Sequence, residues 1–123
     1  MPEFTFAHNC LKVFDLDRSL QFYKDALGLA PVRWMRPSDE DIQLVFLSDG
    51  RSAHELELGC PAGRREAFDL GENEFHIAFR TPDMEAAHAL HESMGCICYD
   101  PETEPVYFIR DPDGYQIEII PAD

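Results

Sequence analysis

Four residues in this chain have the types and the placement for divalent-metal chemistry: His8, Glu57, His76 and Glu118. Each falls in a run whose apolar residues recur with a period of two, the mark of a half-buried strand. The spacing predicts a strand from Phe4 to Val13, with Ala7, Asn9, Leu11 and Val13 on one face and Phe6, His8, Cys10 and Lys12 on the other. Near the C-terminus Tyr115, Ile117 and Ile119 alternate with Gln116, Glu118 and Ile120, which sets a carboxylate in the middle of the polar face. A carboxylate so placed needs a partner, because burying it unpaired is costly. Two imidazoles and two carboxylates on one concave face suit a six-coordinate divalent ion with two positions open to water or substrate. The set is too oxygen-rich for a structural zinc site.

A lone strand histidine or glutamate is ordinarily a hydrogen-bonded core residue. An internal repeat sets these four apart. Asp15 lies seven residues after His8 and Asp83 seven after His76. Both aspartates are placed as helix N-caps, before a helix from Leu16 to Leu27 with Leu16, Leu20, Tyr23 and Leu27 at helical spacing, and one from Met84 to Met94. Gly28 and Gly95 stand where those helices end. Strands are expected at Pro31 to Met35, Ile42 to Leu47 and Ala53 to Leu58 in the first half. In the second half they are expected at Glu74 to Arg80, Cys96 to Tyr99, Val106 to Ile109 and Tyr115 to Ile120. Turns are carried by Pro37-Ser-Asp39, Ser48-Asp-Gly50 and Asp111-Pro-Asp-Gly114, where Pro112 presets φ and Gly114 accepts a positive φ. Leu56-Glu-Leu58 matches Ile117-Glu-Ile119, so Glu57 and Glu118 are equivalent, as are His8 and His76. Glu55 shares a face with Glu57 and stays an alternative ligand, though the repeat favours Glu57. His54 falls on the opposite face. His88 and His91, three apart on the second helix, read as solvated helix histidines.

The expected fold is therefore α+β: two βαβββ modules, 1–60 and 71–123, joined by a linker at 61–70 in one domain spanning 1–123. One helix covers one face of each four-stranded sheet, which leaves the other face for a second sheet or a ligand. The length of 123 residues and 45% hydrophobic content suit such a domain. With 24 acidic and 10 basic residues the net charge is −14, which disfavours nucleic acid and anionic membrane as partners. The longest apolar runs are only a few residues, which predicts no membrane span. Cys10, Cys60, Cys96 and Cys98 show no zinc-ribbon spacing; Cys96 and Cys98 alternate on one strand face and read as packed thiols, and a reducing cytoplasm is expected.

Two motifs carry a family resemblance: Asp15-x-x-x-Ser19-x-x-Phe22-Tyr23-x-x-x-Leu27-Gly28, and Asp111-Pro-Asp-Gly-x-x-Ile117-Glu118. With the His8 and His76 strands they resemble the vicinal oxygen chelate superfamily, and within it glyoxalase I (lactoylglutathione lyase) of the bacterial type, from about Phe4 to Pro121. The resemblance implies the glyoxalase/bleomycin-resistance-like fold, a homodimer, and a metal held by His8, Glu57, His76 and Glu118. It implies nickel or cobalt ahead of zinc or manganese. The implied reaction isomerises the hemithioacetal of methylglyoxal and a thiol, glutathione or similar, to the S-lactoyl thioester. Glu118 is then the expected proton carrier, with Glu57 assisting. Where the family often has an arginine four residues after the first histidine, this chain has Lys12; where an asparagine often follows the first glutamate by four, it has Pro61. Lys12 and Arg80 point to the site by parity and are the expected substrate contacts, while Arg33, Arg36, Arg64 and Arg65 read mostly as solvated. Other superfamily activities compete: an acyl-coenzyme A epimerase, a thiol transferase for epoxide antibiotics, a ring-cleaving dioxygenase, or a metal-free binding protein. A dioxygenase site would be crowded by a fourth ligand at Glu57, and a sequestering protein has no use for four aligned ligands.

Overall fold

The alternating runs and capped helices form the expected elements in the computed structural model, which describes residues 1–38 and 41–123. In chain order these are β1 (His8–Lys12), α1 (Leu16–Leu27), β2 (Ala30–Met35), β3 (Ile42–Ser48) and β4 (Glu55–Pro61), then β5 (His76–Thr81), α2 (Met84–Ser93), β6 (Ile97–Tyr99), β7 (Tyr107–Arg110) and β8 (Gln116–Pro121). The chain divides into two compact units, Met1–Phe68 and Asp69–Asp123, each with one helix and one four-stranded sheet. The turn expected at Pro37-Ser-Asp39 ends on Asp39, outside the described residues.

In unit 1 the strand order is β1-β4-β3-β2, with β1 and β4 parallel and the other pairs antiparallel. Helix α1 begins where the Asp15 carboxylate accepts from the Arg18 N–H at 3.2 Å. It ends at Gly28, whose φ of 68° lets its own N–H and that of Leu29 reach the carbonyls of Lys24 and Tyr23. The helix buries Ser19, Tyr23 and Ala26, whereas Leu16, Leu20 and Leu27 of the expected stripe are only half-buried. Leu11 and Val13 of the β1 segment, Val45 and Leu47 of β3, and Leu56 and Leu58 of β4 make up the sheet's share of the core.

Unit 2 repeats the plan as β5-β8-β7-β6, with β5 and β8 parallel. Asp83 caps α2 through the Ala86 N–H at 3.0 Å. Tyr107, Ile109, Ile117 and Ile119 are its buried sheet residues. The Asp111 carboxylate fixes the turn into β8 by accepting from the N–H groups of Asp113 and Tyr115 at 3.0 and 2.8 Å. Gly114, at φ 97°, completes that turn, as its position after Asp-Pro-Asp implies.

Several boundaries differ from the expectation. The first strand begins at His8, not Phe4; Phe4 and Phe6 are exposed and lie outside the ladder, which starts where His8 meets Glu55. The fourth strand runs past position 60, because Pro61 and Cys60 still pair with Ile42 and Gln43. His91 is not a solvated helix histidine: it is buried, with Nδ1 2.8 Å from the Tyr107 hydroxyl. Burial pushes the Tyr107 phenol up to about 12, with Cys96 and Asp100 adding to the shift. His88 is partly shielded too, with Nε2 2.7 Å from an Asp100 carboxylate oxygen.

Candidate metal centre

The period-two rule places His8, Cys10 and Lys12 on the sheet face away from α1, and pairing carries that face across the strands. Glu57 stands beside Cys10, and Phe46 beside Glu57. His8 Nε2 lies 3.2 Å from a Glu57 carboxylate oxygen. Unit 2 has the same arrangement: Glu118 stands between Ala78 and Phe108, and His76 Nε2 lies 3.5 Å from a Glu118 carboxylate oxygen. Two ligands bound at about 2.1 Å and at right angles on one ion sit about 3 Å apart, so each pair has the spacing of neighbouring ligands. The donor set of imidazole nitrogen and carboxylate oxygen therefore fits a divalent ion. Among the described residues no group of three or more His, Cys, Asp and Glu is placed to hold a metal ion, and the expected four stand as one pair in each unit.

The pairs differ in exposure. The Glu57 side chain is 11% exposed and that of Glu118 24%, while His8 and His76 are similarly open at 41% and 43%. Glu118 is thus the more accessible carboxylate. Glu55 is engaged elsewhere, with an oxygen 2.8 Å from Arg33 Nη2, and this separates it from the His8–Glu57 pair. His54 turns away as expected, its Nε2 2.7 Å from the Asn9 side-chain oxygen.

Lys12 reaches along the same face. Its stem fills the notch left by Gly59, where an added Cβ would meet Lys12 Cδ at 3.1 Å and Nζ at 3.3 Å. Its ammonium donates to Cys10 Sγ at 3.4 Å. Partial burial pushes the Cys10 thiol up; the Lys12 ammonium pulls it back and the Glu57 carboxylate raises it further. Arg80, the unit 2 counterpart of Lys12, donates to Asp123 at 3.2 Å and is exposed. Arg64 folds over Phe68 at 3.8 Å and donates to the Glu66 and Ala67 carbonyls, which leaves it a local brace.

Sequence reasoning missed the rings that wall each histidine. The His8 and Phe46 rings meet edge to face with centroids 5.2 Å apart, and so do His76 and Phe108, also at 5.2 Å. Phe46 and Phe108 are equivalent by register, pairing with Glu57 and Glu118, but they stand two and three residues before their turns, so spacing alone did not mark them.

Comparison with known proteins identifies the family. The profile of the Glyoxalase/Bleomycin resistance protein/Dioxygenase superfamily matches residues 5–119. The lactoylglutathione lyase of Haemophilus influenzae is 37% identical, over 92% of this chain and 89% of its own. That of Salmonella typhimurium is 33% identical, over 94% of this chain and 90% of its own. Among solved structures, the trypanothione-dependent glyoxalase I of Leishmania major superposes with a TM-score of 0.84 at 31% identity, covering 97% of this chain and 87% of that one. Maize glyoxalase I matches with a TM-score of 0.79 at 27% identity, covering 94% of this chain but 43% of that one. The repeated βαβββ units, the paired His–Glu registers and these matches together place the chain in the Glyoxalase/Bleomycin resistance protein/Dioxygenase superfamily.

Proposed function

We propose that this chain is a glyoxalase I-type isomerase, which converts the hemithioacetal of methylglyoxal and a thiol, glutathione or similar, to the S-lactoyl thioester. The observation that carries the reading is the repetition of one His–Glu pair in the same parallel register, at 3.2 Å in unit 1 and 3.5 Å in unit 2. His8, Glu57, His76 and Glu118 would together hold one divalent ion, nickel or cobalt, in a homodimer. When bound, that ion supplies Lewis-acid stabilisation of the two oxygens that gain charge as the carbon-bound proton leaves.

Glu118 takes that proton as general base and returns it to the neighbouring carbon as general acid. Its greater exposure beside the imidazole supports this assignment over Glu57, which assists. Lys12 and Arg80 contact the thiol's carboxylates. Arg80 exchanges Asp123, itself 95% exposed, for the substrate anion. A lysine offers a point charge without the bidentate fork, so one carboxylate is gripped more loosely than an arginine would grip it. The four free cysteines fit a reducing cytoplasm, where small thiols persist.

The test is direct: metal-free protein is given nickel or cobalt, methylglyoxal and glutathione, and thioester absorbance is followed. Thioester that forms with metal and stops on addition of chelator is the expected result. A panel of other thiols then identifies the cosubstrate.

A further inference from the structure

A row of four side chains crosses each sheet at the level of the ligand carboxylate. In unit 1 it runs Cys10, Glu57, Phe46, Arg33; in unit 2 it runs Ala78, Glu118, Phe108, Tyr99. In both rows the last residue follows a break in register, between Pro31 and Arg33 and between Ile97 and Tyr99. Such a bulge re-aims the side chain that follows it. In both units a planar group is brought against the phenylalanine, over the ring face for Arg33 and tilted at 60° for Tyr99. The Arg33 guanidinium carbon lies 4.1 Å from the Phe46 ring centroid, and the Tyr99 ring lies 6.0 Å from that of Phe108. Each phenylalanine then meets its histidine edge to face, at interplanar angles of 86° and 80°.

A phenylalanine ring has a broad, soft torsion about its last bond, so its plane is set by what packs on it. We propose that Arg33 is a positioning residue for His8, acting through the Phe46 ring, with Glu55 fixing the guanidinium plane through its 2.8 Å contact to Nη2. The inference rests on the reading of His8 as a metal ligand.

An arginine on the ligand face is ordinarily read as an anion contact. The internal repeat argues otherwise. Tyr99 at the equivalent place carries no guanidinium, yet the histidine beyond the shared phenylalanine has the same centroid distance, 5.2 Å in both units. What the two rows have in common is a planar group packed against the ring, not a charge. Glu55 follows the same logic: its counterpart is Gln116, which donates to the Asn73 carbonyl at 3.0 Å and has no cation to hold. The Arg33 and Glu55 side chains are 52% and 28% exposed, so their ion pair adds little to stability and its value lies in orientation.

The test measures Co2+ affinity by competition with a chelator, together with kcat and KM. Arg33→Ala should weaken Co2+ binding by about 10-fold, the low end for a group that orients a ligand, with kcat reduced and KM unchanged. The double variant Arg33→Tyr/Glu55→Gln, which copies the unit 2 row, should recover most of the affinity and leave KM at the wild-type value. Wild-type Co2+ affinity in Arg33→Ala would overturn the proposal. So would a double variant that stays weak in Co2+ and rises in KM, since Arg33 would then be a substrate contact. Wild-type protein that takes up no Co2+ would sink both this inference and the metal reading, whereas unaltered affinity in Arg33→Ala alone leaves the metal reading standing.

Discussion

Replacing Glu118 by glutamine isolates the proton carrier from the metal-binding shape. The amide keeps an oxygen where the carboxylate oxygen stands 3.5 Å from His76 Nε2 and removes only charge and basicity. The side chain is about a quarter exposed, so a neutral group there costs little stability. Loss of a general base lowers rates by about 10²–10⁴. At about 1.4 kcal/mol per decade this raises the barrier by about 3–5 kcal/mol. Glu55→Gln provides the scale, because Glu55 touches Arg33 and not the His8 nitrogen. It should cost about tenfold, or about 1.4 kcal/mol, the smaller effect of a group that supports a ligand. The assay is kcat with saturating metal and hemithioacetal, and the melting temperature confirms that both variants are folded. Equal losses in the two variants would refute the assignment of Glu118 as base.

Two further outcomes follow from particular contacts. Gly59→Ala would place a Cβ 3.1 Å from Lys12 Cδ and displace a flexible side chain rather than backbone; KM should rise with kcat and melting temperature nearly kept, and an unchanged KM would remove Lys12 from substrate binding. Tyr107, whose ordinary value is 10.0 and whose folded value is about 12, stabilises the fold fully below pH 10 and loses that contribution as pH rises towards 12, because the unfolded chain ionises first. Urea midpoints should therefore show Tyr107→Phe less stable than wild type at pH 8, where His91 loses its partner, with the gap closing between pH 10 and 12. A gap independent of pH would contradict the buried phenol.

Much of the site could be read from local rules. A residue's face in a strand depends only on parity, and the repeat gave parity two independent checks, so the expected sharing of a face by His8 and Glu57, and by His76 and Glu118, is what each sheet has. The helix starts at Asp15 and Asp83, and the positive φ of Gly28 and Gly114, follow from single-residue chemistry in the same way. What depends on partners was hidden. The first strand stops short of Phe4 because a strand exists only where another chain segment pairs with it. His91 looked solvated because helical spacing says nothing of β7, whose Tyr107 meets it. The role of Arg33 rests on a register shift after Pro31, and period-two reading passes straight over a bulge.

The central claim is that two His–Glu pairs make one metal-dependent isomerase site. Titrating metal-free protein with nickel or cobalt while following thioester formation from methylglyoxal and glutathione tests it most directly. Activity should rise with the metal, saturate at one ion per set of four ligands, and vanish in His8→Ala and His76→Ala alike. No thioester with nickel, cobalt, manganese or zinc would contradict it, as would activity that survives the loss of either histidine.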